Sequence, residues 1–176
     1  MKNAALALRD INSPLELQQA CQLFMTYFIN LYKSIPTAHL GLNNIEGHLN
    51  KIWSATLASI EQGELYIWGA YSQEQLVAVV TFNLLEANII LLRTLPIQPM
   101  DEDKVYEIRT TLLNAIHQRY PDRDTIVLLI RKANESYRLF CEKAGFIEDP
   151  SSFNHPYIHQ NYNRQWYVAF ALRKPW

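Results

Sequence analysis

Few residues in this chain have both the type and the spacing to do chemistry. His155 and His159, in His-Pro-Tyr-Ile-His, stand four apart, a spacing at which a helix would aim two imidazoles at one metal ion. They fall within Asp149–Arg164, which is rich in Pro, Ser, Asn and Tyr and reads as a loop, and no Glu or Cys joins them. No metal site is expected. The same stretch suits the wall of a ligand pocket, because His, Tyr and Asn offer hydrogen bonds at low charge. Arg93, which interrupts an apolar run, and Lys104, Arg131 and Lys132 are the visible candidates for holding an anion. Glu86 is a candidate base by position alone. Cys141 shares a stripe with Tyr137 and Phe140, which suits a thiol packed as a small buried hydrophobe.

Composition narrows the setting in which these groups must work. The chain has 176 residues, 49% of them hydrophobic, enough for one domain over residues 1–176 with a real core. Its 16 basic residues nearly balance 17 acidic ones and the pI is near 6.5, so no basic face for nucleic acid is expected. The two cysteines, Cys21 and Cys141, form no C-x-x-C pair or disulfide framework, which fits a reduced setting. Met1–Arg9 has too short an apolar run for a signal peptide, and no run approaches the ~20 apolar residues of a membrane helix. The expectation is a cytoplasmic protein with no nucleic-acid or membrane partner.

The elements that would position the candidates follow from apolar spacing. Ala4–Arg9 reads as a first strand. Leu17, Cys21, Phe24, Phe28 and Leu31 give Pro14–Tyr32 a helical stripe, with Ser13 as N-cap and Pro14 at the first helical position. Ile45–Gln62 repeats the pattern and ends at Gly63. Glu64–Tyr71, Leu76–Leu85 and Asn88–Leu95 form an antiparallel meander with short turns at Ser72–Gln75 and Glu86–Ala87. Their residues are apolar on both faces, as in strands covered by helices on two sides. A helix over Asp101–Tyr120, a strand over Thr125–Ile130, a helix over Asn134–Ala144 closed by Gly145, and a strand over Trp166–Leu172 complete the order. Strand–helix–strand units at the centre predict that Thr125–Ile130 runs parallel to Asn88–Leu95.

That order, and the run Ile126-Val-Leu-Leu-Ile-Arg-Lys-Ala-Asn134 followed by Glu-Ser-Tyr-Arg-Leu-Phe-Cys-Glu-Lys-Ala-Gly145-Phe146, resembles the GNAT acyltransferases. Their signature is N-x-x-A-x-x-x-Y-x-x-x-G-F after an apolar strand. The resemblance implies an α/β GNAT-like fold, with a central mixed, mostly antiparallel sheet flanked by helices. It also implies acetyl-CoA as donor, a small-molecule amine or a protein as acceptor, and pantetheine bound along the splayed fourth strand at Arg93, Thr94 and Leu95. Asn134 matches the signature's first position.

Two positions depart from the pattern. The family's pyrophosphate loop, Q/R-x-x-G-x-G/A, precedes a helix whose first-turn N–H groups receive the charge. Here the region is Leu95-Pro-Ile-Gln-Pro-Met-Asp-Glu-Asp-Lys104, with no glycine anywhere between Gly69 and Gly145. Asp101, Glu102 and Asp103 favour the helix dipole but oppose a diphosphate. Lys104 is the substitute cation best placed by sequence. In the signature helix, the Tyr that protonates the departing thiolate in many members aligns with Cys141, and the small Ala packed against the coenzyme aligns with Tyr137. A thiol can donate a proton, so Cys141 is the candidate catalytic residue that the resemblance implies. Two readings stand: an acyl-CoA-dependent N-acetyltransferase, and a GNAT-fold module that has lost the coenzyme and binds another ligand or a protein.

Overall fold

The computed structural model describes residues 5–86 and 88–175. Seven strands form one mixed sheet in the order β1-β2-β3-β4-β5-β7-β6. They are β1 (Ala7–Asp10), β2 (Tyr66–Ser72), β3 (Gln75–Leu85), β4 (Ile89–Thr94), β5 (Thr125–Arg131), β6 (Ile147–Glu148) and β7 (Tyr167–Arg173). The helices are α1 (Pro14–Lys33), α2 (Thr37–Leu40), α3 (Ile45–Glu61), α4 (Glu102–Arg119), α5 (Glu135–Lys143) and α6 (Pro156–Asn161), with a 3-10 turn at Pro150–Asn154. β1 through β4 pair antiparallel, β4 and β5 pair parallel, and β5, β7 and β6 return to antiparallel. The expected hairpin and the expected parallel neighbours are both present. Ala4, placed in the first strand by sequence, and Ala87, in the second turn, lie outside the described residues.

Local chemistry explains the element ends. Ser13 accepts from the Glu16 N–H while Glu16 reaches back to the Ser13 N–H, a reciprocal cap that starts α1. Gly145 takes φ +91° just past α5, a conformation that glycine adopts without a Cβ clash, and Phe146 turns back into the core at 3% exposure.

Two layers cover the sheet. On one face Leu112 and Ile116 of α4, with Phe140 of α5, pack on Phe82, Ile90, Leu92, Ile126 and Leu128. On the other face Phe24 of α1 and Leu49 of α3 pack on Ile67 and Val79. Phe153 and Ile158 cover Leu91, Val127 and Leu129 on that face. Each fully buried aliphatic side chain contributes about 1.5–3 kcal/mol of transfer free energy.

This last patch corrects the loop expectation for Asp149–Arg164. Pro150 and Pro156 open a 3-10 turn and α6, and the buried Phe153 and Ile158 anchor both to the sheet. Two buried apolar residues in a polar run leave too sparse a pattern to show as periodicity. β6 and α2 were also not expected; at two and four residues they are too short for apolar spacing to reveal.

Candidate functional site

The sheet opens where β4 and β5 stop pairing. Their parallel register runs from Ile89–Thr125 to Leu92–Leu128, after which β4 goes on to Thr94 and β5 to Arg131. At the same level the β3–β4 register shifts, with Thr81 opposite Thr94 and Phe82 opposite Leu92, so Arg93 is the extra residue of a bulge. A bulge bends its strand and re-aims a side chain, and here it turns Arg93 into the gap.

An inner cavity of about 220 Å³ fills that gap, lined by Arg93 and Thr94 of β4, Leu95 just after it, Leu129 to Arg131 of β5, and Asn134. Tyr32 and His48 close it from the α1 and α3 side, and Asn161, Tyr162 and Tyr167 from the α6 and β7 side. Arg93 Nη1 donates to the Tyr157 hydroxyl at 2.7 Å, and its guanidinium lies 5.1 Å from the Tyr162 ring centre. Arg131, only 7% exposed, donates from Nη1 to the Leu40 carbonyl at 2.7 Å and reaches His48 Nε2 at 3.3 Å. Burial, then the Arg131 and Lys51 charges, hold the His48 imidazole below its ordinary pKa, so His48 is neutral and accepts that bond. Burial raises the Tyr32 and Tyr162 hydroxyls above the usual phenol value, and both stay protonated donors at neutral pH.

A larger outer groove of about 790 Å³ runs beside α1, the start of α4 and the outer face of α5. Tyr27 lines both spaces, Arg109 faces the groove and Tyr137 faces the cavity. Arg109 Nη2 donates to the Tyr27 hydroxyl at 2.9 Å, and its guanidinium lies 4.4 Å from the Tyr137 ring centre. These three side chains partition groove from cavity. Arg109 is 4% exposed, and among the described residues its Nε has no hydrogen-bond partner. Sequence reading did not single it out, yet a signal was present: Arg109 sits on the apolar stripe of α4 between Val105 and Leu112, where a charge has no solvent to reach.

The candidates named from sequence thus divide. Arg93, Thr94, Leu95, Arg131 and Asn134 meet at one cavity; Asn134 also caps α5 by accepting the Tyr137 N–H at 3.3 Å. Lys104 lines neither space, is exposed, and pairs with Asp101 at 3.9 Å. Lys132 is exposed as well. Glu86 lies in the turn that precedes β4, at the opposite end of that strand from the parted region. His155 accepts the Tyr157 N–H as the cap of α6, and among the described residues no three His, Cys, Asp or Glu side chains cluster to hold a metal.

Cys141 is 0% exposed in the core and lines neither space. Burial pushes its thiol up to about 12. Cys141, the catalytic candidate that the resemblance implied, thus belongs to the core cluster with Tyr137 and Phe140.

The α4 N-terminus is capped by its own acid. Asp101 Oδ1 accepts the Lys104 N–H at 3.0 Å, and Glu102 and Asp103 follow in the first turn. One first-turn amide is therefore already bonded to a carboxylate. The groove has room for a coenzyme, but these residues do not fit its diphosphate.

No protein-family model and no curated protein matches the chain. Solved structures do. The PaiA N-acetyltransferase from Thermoplasma acidophilum, in complex with coenzyme A, superposes with a TM-score of 0.70 at 14% identity over 96% of this chain and 99% of that one. The ribosomal-protein-S18-alanine N-acetyltransferase from Escherichia coli gives 0.61 at 12% identity over 96% and 94%. The N-acetyltransferase PseH from Campylobacter jejuni, in complex with acetyl coenzyme A, gives 0.59 at 10% identity over 97% and 99%. With its strand order, its parted central strands and its near full-length likeness to these structures, the chain has the fold of the GNAT N-acetyltransferases.

Proposed function

We propose that this protein is a ligand-binding module on the GNAT fold, in which the cavity between β4 and β5 is kept as a binding site and the usual grip on acetyl-CoA is lost. The observation that carries this reading is the acidic α4 N-terminus, where Asp101 accepts the Lys104 N–H, Glu102 lines the outer groove and Asp103 follows in the first turn. The partition of Tyr27, Arg109 and Tyr137 agrees with it, since a thioester arm entering from the groove would have to displace a stacked pair. Losing two or three charge-assisted hydrogen bonds, at about 1.5–3 kcal/mol each, removes several orders of magnitude in affinity. Calorimetric titration with acetyl-CoA is therefore expected to show no saturation below about millimolar.

A second reading, acyl-CoA-dependent N-acetyl transfer, is favoured by the outer groove, whose volume of about 790 Å³ is large enough for a coenzyme. Micromolar binding of acetyl-CoA, with thiol release on adding an amine, would establish this reading and overturn the first.

A further inference from the structure

We propose that the inner cavity takes a small carboxylate with an apolar body, its carboxylate held by Arg93 and Arg131. This deepens the ligand-binding reading and rests on it for the location of the site. β4 and β5 each carry an arginine where they part, and both arginines are fixed against one aromatic pair. The Arg93 guanidinium lies 5.1 Å from the Tyr162 ring centre and that of Arg131 lies 5.0 Å from Tyr167, while the two rings meet edge-on at 5.1 Å. Tyrosine faces and neutral acceptors hold the arginines in place without neutralising them.

Among the described residues, no Asp or Glu lines the cavity. The Arg131 partners are a carbonyl, an imidazole and the Tyr32 hydroxyl, none of them an anion, and among the described residues its buried Nε has no partner. A buried charge without a counter-charge is costly, and an anionic ligand is the group that relieves it. An ammonium ligand would instead face two guanidiniums. A guanidinium fork matches a carboxylate edge in plane, and the Tyr32 and Tyr162 hydroxyls add neutral donors nearby. Phe28, Ile52, Leu92 and Ile130 give the rest of the wall an apolar stretch, beside the neutral polar side chains of Thr94, Asn134 and Asn161. At about 220 Å³ the cavity has the volume of about seven waters, which suits a short-chain acid rather than a bare ion.

The test is calorimetric titration of the full chain, without coenzyme, using pentanoate, pentanamide, pentylamine and inorganic phosphate. Pentanoate is expected to saturate, and to bind at least about tenfold more tightly than the amide or the amine. Arg93→Gln, at a half-buried position, is expected to lose at least about tenfold in pentanoate affinity with its circular dichroism unchanged. Arg131→Gln should do the same if it folds, and Lys104→Gln should leave binding intact. Equal binding of amide or amine, absence of saturation by pentanoate, or an unaffected Arg93→Gln would overturn the proposal. Phosphate binding as tightly as pentanoate would also overturn it, in favour of a bare-anion site. The acetyl-CoA titration fails independently. Tight acetyl-CoA binding with pentanoate binding intact defeats the module reading alone, whereas no pentanoate and no acetyl-CoA binding defeats the carboxylate inference alone.

Discussion

The Arg109 guanidinium lies 4.4 Å from the centre of the Tyr137 ring, and this contact helps close the passage between the outer groove and the inner cavity. Tyr137→Ala removes the ring and opens that passage. Removing a buried aromatic costs about 3–5 kcal/mol, while Tyr137→Phe keeps the ring and should stay within about 1.5 kcal/mol of wild type. Pantetheine, which has no diphosphate to be repelled, is expected to bind Tyr137→Ala more tightly than wild type. Denaturant unfolding and calorimetry check the two effects separately, and unchanged pantetheine affinity would show that the partition does not gate the cavity.

The acidic start of α4 should be separable from its capping. Asp101→Ser keeps an oxygen for the Lys104 N–H but removes the charge, and Glu102→Gln with Asp103→Asn removes two more. Each carboxylate contributes about 0.3–1 kcal/mol to the helix dipole, so the triple variant should lose about 1–3 kcal/mol of stability. Acetyl-CoA should bind it about tenfold more tightly than wild type. A titration that shows no gain would mean that carboxylate repulsion is not what excludes the diphosphate.

Cys141 should matter to stability alone. With the thiol 0% exposed, Cys141→Ser places a hydroxyl among apolar side chains and should cost about 1–3 kcal/mol. In the native protein iodoacetamide should label Cys21, which is half-buried, well before Cys141. Mass spectrometry of a labelling time course decides the order. Rapid native labelling of Cys141 would contradict its burial.

The stability of the fold should fall on mild acidification. Burial, then the Lys174 charge, hold the buried His117 imidazole down at about 4. In the unfolded chain the ring titrates near 6.5, so between these values the unfolded state binds the extra proton. Stability is therefore complete above about 6.5 and declines as the pH falls towards about 4. His48, whose pKa is also lowered, adds to the decline in the same direction. The unfolding midpoint should drop across this window, and His117→Gln should flatten the drop. A variant with an unaltered slope would remove His117 from the account.

The amino-acid sequence by itself determined the hairpin of β3 and β4, the parallel place of β5, the acidic cap of α4 and the glycine stop after α5. Each of these is written in a window of neighbouring residues: a two- or four-residue period, an Asp run, a Gly before a Phe. Arg93 and Asn134 were also visible, because a charge in an apolar strand and an Asn before a helix are local signals, whereas Thr94 and Leu95 were implied only by the resemblance to the GNAT acyltransferases. What tertiary structure decided is which of these groups meet. The place of Arg93 and Arg131 on one cavity, the Tyr162–Tyr167 pair beside them, and the stacking of Arg109 on Tyr137 all bring together side chains from different elements. No period within one element encodes such a meeting. It depends on where β4 bulges and stops pairing with β5, and on how α4 and α5 pack over the sheet, which the chain settles only when its elements close on a common core.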